Sequence, residues 1–182
     1  MPLIPLAVET LTPEAFAAYG SVWGRPYGTD TPAFSNAATD FWHQHHFDAG
    51  DSGQPEILWV NYRKNDRCVD TLEVHWLTEQ AIVPLGPEGL FHIVALGGRP
   101  GEGPDPATLK AFYIPAGQGI CMRPGCWHAS QVRNAQVSCL MLTRASTTAE
   151  LVGHLACNRP ATESKLAPLG NTYVLREPGS SP

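Results

Sequence analysis

The chain of 182 residues lacks any apolar run near the roughly 20 residues that a bilayer-crossing helix needs. Its opening, Met1-Pro2-Leu3-Ile4-Pro5, has neither the charged region nor the long apolar stretch of a secretory leader, so a soluble, cytoplasmic protein is expected. Positive charge is scarce: 12 Lys and Arg stand against 17 Asp and Glu, for a net charge of −5. That balance leaves no electrostatic footprint for nucleic acid or an anionic membrane surface, and a small molecule is the expected partner. The five cysteines, Cys68, Cys121, Cys126, Cys139 and Cys157, are odd in number and contain no C-x-x-C pair. Buried reduced thiols are therefore expected rather than a disulfide framework or a thiolate metal site. There is no internal repeat and no low-complexity block. The Gly-rich stretch from Gly97 to Gly103 has no helix after it and no Lys-Ser/Thr ending, which excludes a phosphate cradle.

What is abundant is punctuation. Seventeen Pro and seventeen Gly spread along the chain cut it into short segments and argue against a helical bundle. From Ile57 onward the segments read as strands: 57–62, 71–76, 80–85, 91–96, 109–114, 119–122 and 137–143. Short strands parted by turn signals every 8–12 residues or so are the pattern of an all-β sandwich or barrel. One early helix is signalled by Thr12 as cap, Pro13 in the first turn and Gly20 as stop. A second is expected from Thr147 to Leu155, capped by Ser146 or Thr147, with Leu151, Val152 and Leu155 on one face. The tail after Asn158 reads as an extended arm with a frayed end. The expected organisation is one domain over 1–182: an arm and helix over 1–56, a barrel core over 57–144, and a helix and arm over 145–182.

Two segments join ligand-type residues to strand geometry. In the first, Glu73, His75 and Glu79 fall at E-x-H-x3-E, with Gly86 further on. Residues two apart in a strand share a face, so Glu73 and His75 both turn toward the barrel lumen. In the second, Gly117 to His128 reads G-x5-R-x-G-x2-H, and Gly125 permits a tight turn that sends His128 back into the lumen. Together Glu73, His75 and His128 offer a mixed nitrogen and oxygen set, suited to a divalent metal or to a metal-free acid/base couple. Glu79 reads equally as a site residue or as a surface charge at a strand end. His45 and His46 read as a polar loop or dimer contact, His92 as a satisfied core or rim residue, and His154 as an exposed helix residue. Trp127 reads as a pocket wall or as a core aromatic.

These segments resemble the two cupin motifs, G-x5-H-x-H-x3,4-E-x6-G and G-x5-P-x-G-x2-H-x3-N. Glu73 stands at the first His, His75 at the second, Glu79 at the Glu and His128 at the last His, while Arg67, Arg123 and Val132 depart from the pattern. A finer resemblance is to the ureidoglycolate lyase family. It is carried by Leu72-Glu73-Val74-His75 with Gln80-Ala81-Ile82-Val83-Pro84, by Leu109-Lys110-Ala111-Phe112, and by Ala116-Gly117-Gln118-Gly119 and Trp127-His128. It is also carried by the opening Leu11-Thr12-Pro13-Glu14-Ala15-Phe16 and Tyr19-Gly20, and extends to about Arg144. The resemblance implies a cupin-type double-stranded β-helix, or jelly-roll, barrel with a few peripheral helices. It further implies a homodimeric carbon–nitrogen lyase of allantoin degradation in purine metabolism, splitting (S)-ureidoglycolate into glyoxylate and urea. A divalent metal, nickel, manganese or zinc, would lie on Glu73, His75 and His128, with Glu79 beside them as a catalytic residue. Gln80, Arg123, Trp127, His43 and Asn36 are then the expected substrate-binding residues, Arg123 or Arg133 replacing an Arg that the family carries upstream. Alternatives are a metal-dependent cupin oxygenase or isomerase on another small acid, or a non-enzymatic small-molecule-binding cupin.

Overall fold

Alternating burial, period two, carries most of the chain into strands, and turns rich in Gly and Pro reverse its direction. A computed structural model describes residues 3–24, 31–97 and 102–179. Its strands are β1 (Leu3–Thr10), β2 (Gly20–Trp23), β3 (Phe34–Ser35), β4 (Asp40–Phe41), β5 (Pro55–Tyr62), β6 (Cys68–His75), β7 (Gln80–Pro84), β8 (Leu90–Ala95), β9 (Lys110–Ile114), β10 (Gly119–Met122), β11 (Trp127–Gln131), β12 (Val137–Arg144) and β13 (Ser164–Arg176). Among the described residues two α-helices accompany them, α1 (Pro13–Phe16) and α2 (Ala145–Cys157), with a short 3-10 turn over Pro106–Thr108.

Six strands close on themselves in the order β1-β13-β6-β11-β8-β9, and five form a second sheet in the order β2-β10-β7-β12-β5. From β5 to β8 successive strands alternate between the two sheets, and from β9 to β12 they do so again, the halves being joined by the β8/β9 pair. That winding is the double-stranded β-helix of a cupin-type barrel, and it arises here from the strand order itself. β1 joins the ring through parallel pairing with β13 along its first half and with β9 along its second.

Because the ring is covered on both faces, its central strands bury alternate residues in different cores. Leu72 and Val74 of β6, Phe91, Ile93 and Ala95 of β8, and Trp127 of β11 fill the inside of the ring. Leu90 and Val94 of β8 pack instead with Ile82, Ile120, Met122, Cys139 and Met141, between the two sheets. Each fully buried Leu, Ile or Phe contributes about 1.5–3 kcal/mol, which offsets the cost of placing polar side chains on that second face.

α1 forms where it is expected: Thr12 Oγ1 accepts from the Ala15 amide at 3.1 Å and Pro13 occupies the first turn. α2 is longer than the expected 147–155, and neither Ser146 nor Thr147 caps it. Both hydroxyls donate instead to Glu163 Oε2, tying the helix to the chain that follows. The tail also differs. Residues 164–176 form β13, paired with β6 and β1, because Ala167, Leu169, Tyr173 and Leu175 have ring core to bury. β1 and β2 likewise enter the sheets from the stretch read as an arm. Residues 98–101 of the Gly-rich loop, Met1 and Pro2 at the start, and residues 180–182 of the expected frayed end lie outside the described residues.

Candidate active site

Glu73 and His128 face each other directly across the β6/β11 pair, so their side chains leave the sheet on the same side. His75, two residues on from Glu73, joins them, and His92 of β8 lies behind His128. The turn before β11 makes this possible. Gly125 has φ of 81°, its amide donates to the His75 carbonyl at 2.7 Å, and the Cys126 amide closes the turn on the Arg123 carbonyl at 3.2 Å. A side chain at that φ is strained, so glycine is required.

One donor atom from each of Glu73, His75 and His128 lies within 4.8 Å of the other two. The rings of His75 and His128 are 5.2 Å apart at their centroids, and His92 stacks on His128 at 5.7 Å. His128 Nδ1 lies 3.0 Å from the Cys126 carbonyl. A carbonyl only accepts, so Nδ1 carries a proton and Nε2 is the lone-pair nitrogen of the neutral ring. That Nε2 is buried without a hydrogen-bond partner, and Glu73 Oε1 is 3.2 Å away. A lone pair and a carboxylate oxygen so disposed repel unless a proton or a cation completes the pair.

The electrostatics agree. Burial opposes ionisation of Glu73, yet the neighbouring His128 and His75 rings outweigh it and hold the carboxyl below its ordinary pKa. Burial lowers His75 to about 4, so its ring is neutral at neutral pH. His75 Nδ1 is held by Ser164 Oγ at 3.0 Å, from β13. Burial holds His92 well below its ordinary value, and its ring nitrogens meet Ser130 Oγ and Met122 Sδ, each at 3.0 Å. His92 is therefore a neutral packing surface for His128. One carboxylate, two imidazoles and an orphaned ring nitrogen fit a divalent cation, whose charge would satisfy both Glu73 and His128 Nε2.

A pocket of about 100 Å³ opens onto His75 and Gln80, walled by Met141, Thr143 and Thr147 and roofed by Leu151, Val152 and Leu155 of α2. At about 30 Å³ per water, that is room for roughly three waters, the scale of a small polar molecule. Gln80 is buried here and its Oε1 has no partner.

The remaining residues expected at the site lie elsewhere. Glu79 binds His45 Nε2 at 2.6 Å and the Asp48 amide at 2.9 Å, in a separate cluster with Cys121. Arg123 is exposed, donates to the Ala18 carbonyl at 3.1 Å, and shares an outer pocket with His43. Asn36 shapes a turn, its Oδ1 accepting from the amides of Ala38 and Thr39 at 2.8 Å each. Trp127 points into the ring core, edge-on to Trp76 at 5.8 Å, and takes the core role. Arg133 lies over the rings of Phe91 and Tyr113 and pairs with Glu177. Ser164, Thr143 and Thr147 were not expected at the site. No spacing motif links them to His75, since the fold brings Ser164 in from 89 residues away.

A family model described as ureidoglycolate lyase matches residues 3–160. Among relatives, ureidoglycolate lyase from Pseudomonas fluorescens is 32% identical over 130 residues, covering 68% of this chain and 74% of that one. The enzyme of that name from Pseudomonas paraeruginosa is 30% identical over 129 residues, covering 68% and 73%. A solved dTDP sugar isomerase from Desulfovibrio desulfuricans aligns with a TM-score of 0.38 and 15% identity over 74% of this chain and 78% of that one, too slight a likeness to bear on function. The motif order, the barrel and the extent of the family match agree, and the chain belongs to the ureidoglycolate lyase family, a family of enzymes.

Proposed function

We propose that the chain cleaves (S)-ureidoglycolate to glyoxylate and urea at the Glu73, His75 and His128 site. The single observation that carries this reading is the unpartnered Nε2 of His128 facing the Glu73 carboxylate across 3.2 Å, in a chain of this family. The substrate is a carbinolamide. Its cleavage removes the proton of the hydroxyl, turns the C–O bond into a carbonyl, breaks the C–N bond and returns a proton to the departing urea nitrogen. No oxidant is needed.

Glu73, held ionised and with its side chain 33% exposed toward the site, is placed to take the hydroxyl proton. Glu73 Oε1, 3.2 Å from His128 Nε2, can hand that proton to the bare ring nitrogen, which then delivers it to the departing urea nitrogen. The His128 Nδ1–H bond to the Cys126 carbonyl fixes the tautomer that leaves Nε2 free for this. His75, neutral and fixed by Ser164, and Gln80, with a free amide oxygen, orient the substrate's polar groups. A divalent ion held by Glu73, His75 and His128 would add Lewis acidity that lowers the hydroxyl's pKa. No arginine lines the pocket among the described residues, so the substrate carboxylate would be met by the threonine hydroxyls and, when bound, the divalent ion rather than by a guanidinium fork.

The family resemblance implies a homodimer, and the outer face of the five-stranded sheet supports it. Ile57 and Trp59 of β5 are 69% and 68% exposed, with Leu142 and Leu140 beside them on β12. The test of the reaction is to incubate purified protein with ureidoglycolate and follow glyoxylate and urea, subtracting spontaneous breakdown. Acceleration, with nickel, manganese or zinc or without added metal, is expected; none under any of these conditions would refute the proposal.

A further inference from the structure

Outside the lumen, a second group of donor atoms converges. His45 Nε2 lies 2.6 Å from Glu79 Oε2, and one donor atom each from His45, Glu79 and Cys121 falls within 4.8 Å of the other two. The three come from separate parts of the fold. His45 belongs to the irregular segment before β5, Glu79 to the turn before β7, and Cys121 to the middle of β10. Ile120 and Met122 of β10 point into the core between the sheets, so Cys121 looks out through the other face, where it is only 2% exposed.

From these residues we propose a zinc site built from His45 Nε2, a carboxylate oxygen of Glu79 and Cys121 Sγ, independent of the lumen. Thiolate, imidazole and carboxylate are a zinc donor set, and three protein ligands leave one position of a tetrahedron open. Charge balances: a dication meets one thiolate and one carboxylate with a neutral imidazole, where the lumen set offers only one negative charge. The metal-free cluster is not a nucleophilic triad. Glu79 is hydrogen-bonded to the imidazole, so the imidazole is not paired to the thiol as a base. Binding zinc would release the thiol proton.

The site is shaped before any ion arrives. The Asp48 amide donates to Glu79 Oε2 at 2.9 Å and the Glu79 amide donates to the Asp48 carbonyl at 3.0 Å, fixing the carboxylate against the segment that carries His45. The ring of Trp23 covers His45 at 5.6 Å. Zinc there would fasten residues 42–50, which form neither helix nor strand, to the five-stranded sheet.

The test uses cobalt(II) as the probe on metal-stripped full-length protein. A cobalt–thiolate bond gives a charge-transfer band in the near ultraviolet; the lumen set contains no sulfur, so the band separates a cysteine site from the lumen, and the Cys121 variant assigns it. The wild type is expected to develop the band to one equivalent, zinc to abolish it by competition, and Glu73→Gln to retain it. Cys121→Ser is expected to lose it. His45→Ala is expected to weaken cobalt binding by more than the roughly 10-fold to 100-fold that loss of an outer-shell partner costs. His45 lies on the surface, so this variant decides the matter if Cys121→Ser fails to fold. No band in the folded wild type, or a band undiminished in His45→Ala, would overturn the site.

Discussion

At the scale of residues, one hydrogen bond organises the centre. Because the Cys126 carbonyl takes the proton of His128 Nδ1, the ring presents a bare Nε2 to Glu73, and the pair is ready to hold a proton or a cation. The Glu73, His75 and His128 set was legible in sequence because strand periodicity and a turn glycine determine it locally. The other acidic motif position was not. Cupin spacing allows three or four residues after the second His: three reaches Glu79, four reaches Gln80, and the β7 register turns Gln80 inward and Glu79 outward. Only that register distinguishes the two. Gln80→Ala removes a buried amide facing the pocket. The KM for ureidoglycolate is expected to rise about tenfold, the worth of one hydrogen bond, with kcat changed less. Steady-state kinetics decides this, and an unchanged KM would remove Gln80 from the site.

At the scale of elements, α2 roofs the pocket and β13 holds His75, which lines it. Glu150 of α2 accepts from the amides of Thr162, Glu163 and Ser164 and from the Thr162 hydroxyl. It thereby seats the start of β13, whose Ser164 holds His75. In sequence, Pro168 and Gly170 interrupt the alternation of β13. The register shift between Pro168 and Tyr173, with Gly170 at φ of 75°, absorbs both. Partner strands 90 or so residues away supply what local sequence does not. Burial opposes ionisation of Glu150, but those hydrogen bonds outweigh it and lower the carboxyl's pKa below its ordinary 4.5. A depressed carboxyl stabilises the fold above its unfolded value and ceases to do so as pH falls through the folded one. Glu150→Gln is therefore expected to be about 1 kcal/mol less stable than wild type at pH near 7 in urea unfolding. The gap should close as the pH drops below 4.5. A gap that persists unchanged in acid would show that shape rather than charge matters at Glu150.

At the scale of the whole molecule, winding the chain alternately through two sheets gives the ring strands two buried faces. One face is mainly apolar and one can carry the site, which is how His92 and His128 come to lie inside. The barrel was legible from strand spacing; its closure through β1 and β13 was not, because those strands pair in parallel across the full length of the chain. The proposed dimer would form through the outer sheet face, where Ile57 and Trp59 are exposed. Trp59→Glu is expected to shift sedimentation to the monomer, and a dimer unaffected by it would place the interface elsewhere. If the lumen set performs the reaction, folded Glu73→Gln and His128→Ala each lose activity, which is read as kcat/KM for ureidoglycolate cleavage beside wild type. A loss of about 10²–10⁴-fold in each is predicted from removing a placed proton-transfer group, whereas variants as fast as wild type would contradict the account.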